Sequence, residues 1–187
     1  MKPALVALLV LGCVDQKRSC ELWAAHVRCE RGEASGCARE AQLTDSHSRA
    51  AEVAHKGCNG GSGAACALLG RLVAGGQWLR RDEKRAATLW QRACELGDPG
   101  GCTLLGTAMW VGTGVREDHA KALALFGRAC DGGDPRGCHE LALSYEAGEG
   151  VPRDAEHAER LYRRSCDGGL KEACEKLRDI AARRESP

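Results

Sequence analysis

The sequence predicts an all-α protein built from helix–loop–helix repeats. The first observation is a recurring pair of cysteines separated by seven residues, whose first members Cys58, Cys94, Cys130 and Cys166 follow one another at steps of 36 residues. Such a period is typical of repeat arrays in which each unit packs on its neighbours. The second observation is a glycine three residues after the first cysteine of every pair, where it can close a helix in the left-handed conformation.

A third observation is a set of helix-start and helix-end signals in the same register. Aspartates suited to cap a helix stand twelve residues before the first cysteine, at Asp82, Asp118 and Asp154. Cations that suit the negative end of the helix dipole stand two residues before it, at Lys56, Arg92, Arg128 and Arg164. The helix that ends at the first cysteine should therefore be about twelve residues long.

A second helix is predicted to begin at the second cysteine of each pair. A leucine on its buried face follows three residues later, at Leu69, Leu105, Leu141 and Leu177. The helix should end near glycines at Gly75 and Gly76, Gly112 and Gly114, and Gly148 and Gly150. Each repeat is thus a helix, a glycine-rich loop and a helix, and the cysteines span the tight turn into the next repeat.

Ten of the twelve cysteines belong to this frame. Two helix ends that face each other across a seven-residue turn can bring their Cα atoms to about 5.5 Å, within the range of a disulfide. Zinc is the alternative, but zinc cysteines usually stand two to four residues apart and in paired sets. The frame favours disulfides between Cys29 and Cys37, Cys58 and Cys66, Cys94 and Cys102, Cys130 and Cys138, and Cys166 and Cys174.

The array begins irregularly. Cys20 to Arg31 is interpreted as the second helix of an incomplete first repeat. The next unit is short, because only 21 residues separate Cys37 from Cys58 whereas 28 separate Cys66 from Cys94. A tight turn at Thr44 to Ser46 is expected where the later units carry their glycine loop.

Three full units follow, and one position in them is always aromatic. Trp90, Phe126 and Tyr162 stand four residues before the first cysteine of their pairs. A ligand-binding stripe is one interpretation, but the strict period favours a role in the core. The last helix, Leu170 to Arg184, is rich in Lys, Arg and Glu, as expected where an array ends without exposing an apolar face.

The N-terminus has the features of a secretion signal. A charged start is followed by a short apolar run from Ala4 to Leu11, which is too short to span a bilayer. Leu9 to Cys13 resembles the signal box of bacterial lipoproteins, which predicts lipidation of Cys13. An ordinary secretion signal, or a disulfide between Cys13 and Cys20, is the alternative. If Cys13 carries lipid, Cys20 has no obvious partner.

These features divide the chain into four parts. Residues 1–12 form the signal, 13–19 a polar lead-in, 20–184 the repeat array and 185–187 a tail. The twelve cysteines also favour an oxidising compartment. We therefore expect a protein of the bacterial envelope or periplasm that is held by a lipid anchor, or else a secreted protein.

The repeat motif resembles the Sel-like repeat family, which is related to tetratricopeptide repeats, and within it the cysteine-rich bacterial Hcp-type branch grouped as β-lactamases. The residues that carry the resemblance are Ala93 to Asp98, Gly101 to Gly106, Gly112 to Asp118 and Ala120 to Ala122. The resemblance covers roughly residues 20–180 and departs from the family pattern in the short second unit and at Trp78 and Leu79. It implies a right-handed α-solenoid with one disulfide per repeat.

The resemblance implies an adaptor that holds a protein or peptide on its concave face, although some members of the cysteine-rich branch are described as binding penicillin or hydrolysing β-lactams weakly. The sequence lacks the Ser-x-x-Lys motif of a serine β-lactamase, because no serine has a lysine three residues after it. The six histidines lack the spacing of metal ligands, and His26 is poorly aligned to activate Cys20. We predict no catalytic residue, no metal and no cofactor.

Binding of a partner is the function that the sequence favours. Trp78 and Trp110 break the pattern of small residues and are candidate anchors for a partner, whereas Tyr145 and Met109 share a core position. A formal charge of +1 and a pI near 7.5 do not favour nucleic acid. We therefore predict an envelope-anchored scaffold for a protein or peptide, which meets the membrane only through its lipid. Binding or hydrolysis of β-lactams or cell-wall peptides is the alternative.

Overall fold

The computed structural model describes residues 17–43, 47–76 and 79–185, and within those ranges every regular element is a helix. The helices are α1 (Lys17–Glu30), α2 (Ala34–Leu43), α3 (His47–Asn59), α4 (Gly63–Gly75), α5 (Glu83–Glu95), α6 (Pro99–Val111), α7 (His119–Asp131), α8 (Pro135–Ala147), α9 (Ala155–Asp167) and α10 (Lys171–Glu185). We call the even-numbered helices A helices and the odd-numbered ones B helices. Each A helix packs antiparallel to the B helix that follows it. The predicted α-solenoid of helical hairpins is confirmed, and the described residues begin with a B helix.

Some sequence predictions fall outside the described residues. They concern the signal at residues 1–12, the lipidated Cys13, the turn at Thr44 to Ser46 and the aromatic anchor Trp78. The first helix begins at Lys17 rather than at Cys20. No Gly or Pro separates Lys17 from Cys20, so nothing in this stretch opposes helix formation.

The B helices of the three full repeats begin and end at the predicted residues. The side chain of each predicted cap accepts a hydrogen bond from a backbone N–H three residues later: Asp82 from Arg85, Asp118 from Lys121 and Asp154 from His157. The glycine three residues after the first cysteine has a φ between 84° and 93° in all five pairs, at Gly32, Gly61, Gly97, Gly133 and Gly169. A side chain is rarely tolerated at such a φ, which explains why glycine recurs there.

The A helices α4, α6 and α8 have caps at both ends. Their N-terminal caps, which the sequence analysis did not identify, are Ser62, Asp98 and Asp134. Their C-terminal caps are the left-handed glycines Gly76, Gly112 and Gly148, so these helices end where the sequence predicts.

A disulfide joins each B helix to the A helix that follows it. The five bonds link the cysteines in chain order, with Cα–Cα distances of 4.4 to 4.8 Å. Such close helix ends require small residues, since a Cβ at Gly137 would lie 2.5 Å from the Cβ of Ala129. The predicted arrangement of one disulfide per repeat is confirmed.

The aromatic row is part of the core. Trp90, Phe126 and Tyr162 are all buried. Phe126 packs over the A helix of its own hairpin, where a Cβ at Gly106 would lie 2.7 Å from its ring. The row therefore sets the distance between the two helices of each repeat.

The cations near the ends of the B helices also tie successive repeats together. The Nη2 atom of Arg164 donates to the carbonyl oxygen of Cys130 at 2.7 Å, and Arg128 makes the same contact with Cys94 at 3.4 Å. Each arginine thus reaches the last carbonyls of the preceding B helix, where the helix dipole is negative. Hydrogen bonds between successive B helices thus stabilise the stacking of repeats, in addition to the disulfides.

Candidate functional site

The A helices form one continuous face of the array. Successive A helices contact each other directly, α2 with α4, α4 with α6 and α6 with α8. Contacts this extensive are not made between successive B helices in the described part of the chain. The A helices therefore lie on the inner side of the stack, and their solvent-facing side chains form its inner surface.

A groove of about 300 Å³ crosses this inner surface over three successive A helices. Its floor is apolar and consists of small side chains and two leucines: Ala64, Ala67, Leu68, Gly100 and Leu104. Arg71 on α4 and Arg136 on α8 also line it, as does Asp98, which caps α6. The groove thus combines an apolar floor with two cations that come from different repeats.

The guanidinium group of Arg136 is held in place from behind. Asp134 is only 7% exposed, and its carboxylate accepts hydrogen bonds from Nε of Arg136 at 3.2 Å and from Nη2 at 3.3 Å. Thr103 on α6 donates to the same carboxylate at 2.6 Å. Because Gly100 has no side chain, Nη2 can lie above the first turn of α6. This two-pronged pairing orients the arginine before any ligand arrives.

Two arginines leave hydrogen-bond donors free in the groove. Both carboxylates near it are in use, since Asp98 accepts from the backbone N–H of Gly101 at 2.6 Å and Asp134 accepts from Arg136 and Thr103. Arg71 forms no ion pair with another residue of the described ranges, and Nη1 of Arg136 donates to none of their atoms. A ligand in the groove would therefore meet spare N–H donors of Arg71 and Arg136.

Trp110, one of the two predicted anchors, does not line this groove. It is half-buried, and its ring stacks on His119 with the centroids 4.2 Å apart and the planes at 12°. The indole therefore helps to join α6 to α7, and its use by a partner stays a prediction. Tyr145, expected in the core, is half-buried with its ring centroid 4.4 Å from that of His157.

A buried carboxylate in the first hairpin is the main feature that sequence reasoning missed. Glu40 is 1% exposed and stands three residues after Cys37, the position that leucine occupies in every later repeat. Nη2 of Arg49 donates to its Oε1 atom at 3.1 Å, and Nδ1 of His26 lies 3.0 Å from the same atom. The break in the leucine register was the signal that could have revealed it.

These three residues line a cleft of about 590 Å³ between α1 and α3. Val53 and a second ion pair, between Lys56 and Glu30 at 3.3 Å, also border it. His26 is thus placed beside a carboxylate, and Cys29, the cysteine that lines the cleft, is in a disulfide and provides no thiol nucleophile. In the ranges that the structure describes, no group of three or more His, Cys, Asp or Glu side chains is placed to hold a metal ion.

A third polar cluster joins the helices α8, α9 and α10. The hydroxyl of Tyr162 donates to Oε2 of Glu146 at 2.6 Å, and Nζ of Lys176 lies 3.3 Å from the same oxygen. Burial and this hydrogen bond raise the pKa of Tyr162. Burial opposes ionisation of Glu146, but the hydrogen bonds from Tyr162 and Lys176 outweigh it and hold the pKa of Glu146 below its usual value. The cluster fastens α10 to the array.

Comparison with known proteins identifies the repeats. The family model described as Sel1 repeat matches residues 63–98, 99–134 and 135–170, more than half of the chain. Each match begins at the first residue of an A helix and ends three residues after the B helix that follows. No curated protein sequence matches the chain.

Several solved structures share the fold. A Sel1 repeat protein from Oxalobacter formigenes superposes with a TM-score of 0.77 at 21% identity, over 87% of this chain and 69% of that one. A protective antigen of uropathogenic Escherichia coli with an SLR fold gives 0.73 at 24% identity, over 87% of this chain but only 36% of that protein. Cysteine-rich protein B of Helicobacter pylori gives 0.58 at 27% identity, over 68% of this chain and 97% of that one.

Proposed function

Because the chain belongs to the Sel1 repeat family, whose members are scaffolds suited to protein interaction, we propose that it binds an extended segment of a partner protein on its inner surface. The observation that carries the proposal is the groove over α4, α6 and α8. Several repeats contribute to one groove of this kind, so a ligand must be long enough to cross them. An extended peptide meets that requirement.

The residues of the groove support this proposal in two ways. Leu68 and Leu104 are partly exposed on its floor, where an apolar side chain of the partner could be buried. Arg136 is already oriented by Asp134, so little conformational entropy is lost when it binds. An apolar centre with polar groups around it is the usual arrangement of a protein interface, and arginine is one of the residues enriched at hot spots.

The compartment is part of the same proposal. Five disulfides indicate an oxidising environment outside the cytoplasm. None of the described helices is long and apolar enough to cross a membrane. We place the scaffold in the bacterial envelope, with Cys13 as its lipid anchor. Incorporation of labelled palmitate that is lost in Cys13→Ala would support the anchor, whereas unchanged labelling would remove it.

The partner site can be tested by photo-crosslinking in cells. A photoreactive phenylalanine analogue at Leu104 should capture a protein from the envelope, because this position lies on the floor of the groove. The matched control is Thr88, an exposed position on helix α5. Equal capture at both positions, or none at Leu104, would contradict the proposed surface.

Binding or hydrolysis of β-lactams is the alternative function, which the resemblance to the cysteine-rich branch raised. It can be tested with a chromogenic cephalosporin on the purified protein with its disulfides formed. Turnover that stays with the protein through further purification would favour the enzyme over the scaffold.

A further inference from the structure

We infer that the partner segment bound in the groove carries a carboxylate side chain next to an apolar one. This inference rests on the proposed function and names the chemistry of its ligand. The formal charges of Arg71, Arg136 and Asp98, which line the groove, and of Asp134 behind Arg136 sum to zero, but the Arg71 side chain has no ion pair or hydrogen bond with another residue of the described ranges. The neighbouring Asp134 is buried and already paired.

The unused hydrogen-bond donors of the two arginines support the inference. One oxygen of Asp98 accepts from the backbone N–H of Gly101 and caps α6, so part of this carboxylate is already satisfied. Arg71 and the outer edge of Arg136 offer N–H donors that no residue of the described ranges uses. A carboxylate on the ligand would satisfy them, whereas a lysine or arginine would leave them without an acceptor.

Comparison between the repeats shows that this arrangement is specific to one place. The position of Arg136 is Ala64 in the first full repeat and Gly100 in the second. Thr103, which donates to Asp134, stands where the preceding A helix has Ala67. Thr103, Asp134 and Arg136 therefore form a unit that spans α6 and α8 and is absent from the equivalent position over α4 and α6. The small residues at the other copies leave room for the arginine and for the ligand.

The apolar half of the inference follows from the floor. Leu68 and Leu104 occupy the same register in successive A helices, and both are partly exposed in the groove. Arg71 lies on the same helix as Leu68, and Arg136 lines the groove from α8. A segment whose apolar residue enters the floor would thus hold an adjacent Asp or Glu near a guanidinium group.

The experiment is selection of a phage-displayed random peptide library against the immobilised full chain with its disulfides formed. We expect enriched peptides with Asp or Glu within two residues of Leu, Ile or Phe. Arg71→Gln should weaken binding of the most enriched peptide by about 10-fold or more, since a charge-assisted hydrogen bond is lost. Arg85→Gln, an exposed arginine on α5, is the matched control and should change affinity by less than about 2-fold.

Asp134 is expected to act as a positioning residue. Asp134→Asn keeps an oxygen for the helix cap but removes the charge that fixes Arg136, so affinity should fall by about 3- to 10-fold. Because the guanidinium remains charged, affinity should still decrease with salt, whereas Arg71→Gln should reduce that dependence. Melting temperatures of all variants show whether the fold is intact.

The outcomes separate the two levels of the proposal. Enriched peptides that lack acidic residues, yet lose binding in Leu104→Lys, would overturn the inference and leave the proposed function standing. So would acidic peptides whose affinity is unchanged in both Arg71→Gln and Arg136→Lys. If no peptide is enriched and crosslinking at Leu104 captures nothing, the proposed function fails together with the inference.

Discussion

Replacement of Glu40 by leucine should stabilise the protein. Glu40 is buried at a position where the later A helices carry Leu69, Leu105, Leu141 and Leu177. Four later A helices thus carry leucine at the position where the first hairpin carries glutamate. Because burying a carboxylate costs several kcal/mol even when it is paired, an apolar residue of similar volume is often the more stable choice.

The magnitude follows from the exposure of the three partners. The side chain of Glu40 is 2% exposed, whereas those of His26 and Arg49 are 41% and 55% exposed. Water can therefore solvate both partners after the substitution, and each lost bond should cost no more than about 1 kcal/mol. Against this, the variant removes the desolvation cost and gains about 1.5–3 kcal/mol from burial of leucine. We expect a net gain of about 1–2 kcal/mol.

The assay is denaturant unfolding with the disulfides intact, supported by thermal melts. For a chain of this length, about 1–2 kcal/mol corresponds to a rise in melting temperature of roughly 2–8 °C. Val53 lines the same cleft and gives the new leucine an apolar neighbour. The crosslinking assay at the inner groove should be unaffected, because Glu40 does not line it.

The control is the reverse substitution at the same register two repeats later. Leu105 is 4% exposed in an apolar cluster with Val73 and Trp90. Lys121, which occupies the register of Arg49 there, already pairs with Asp118 at 3.0 Å. Leu105→Glu should therefore lose at least about 3 kcal/mol. A loss of more than about 1 kcal/mol in Glu40→Leu would refute the reasoning, because the ion triad would then be a net source of stability.

Three further predictions concern the core, the acid limit and the disulfides. Trp90→Phe should change the free energy of unfolding by less than about 1 kcal/mol in denaturant melts. The reason is that Nε1 of Trp90 is buried without a hydrogen-bond partner in the described part of the chain. A loss of about 3 kcal/mol, as large core cavities cause, would contradict this. The pKa of Glu146 is held below its usual value of 4.5, so the stability that Glu146 contributes is present above that pH and is lost as the pH falls. Glu146→Gln should therefore flatten the dependence of melting temperature on pH below about 4.5. An unchanged slope would show that Glu146 does not contribute to acid unfolding. Joint replacement of Cys94 and Cys102 by serine should cost about 2–3 kcal/mol in the same melts, and peptide mapping without reduction should recover the other four bonds in their pairs.

Most of the fold could be predicted because its signals are local. A glycine such as Gly97 reports a left-handed cap, and Asp82 reports a helix start, through interactions within three or four residues. The cysteine pairs could be interpreted for the same reason, since each loop is short. The same local signals recur every 36 residues, and a recurring helical hairpin predicts a stacked repeat architecture.

The candidate site could not be predicted in the same way, because its residues meet across repeats. Thr103 and Asp134 are 31 residues apart, and only the stacking of α6 on α8 brings them to 2.6 Å. The aromatic residues that stood out in the sequence were a poorer guide, since the ring of Trp110 stacks within its own hairpin. Glu40 was detectable in principle, as the charged residue in a leucine register, but its partners were not.

The repeats themselves separate residues that maintain the fold from residues that are free to recognise a ligand. The cysteines, the left-handed glycines and the aromatic core position keep their type from one full unit to the next. The positions on the inner surface differ between the three units. The sets of equivalent residues are Ala64, Gly100 and Arg136; Ala67, Thr103 and His139; Leu68, Leu104 and Glu140; and Arg71, Thr107 and Leu143. A surface that served only to stack repeats would have no reason to vary in this way, since every unit stacks alike. Variation of the groove positions is what recognition of a non-repeating peptide requires, because each helix must then meet a different part of the partner.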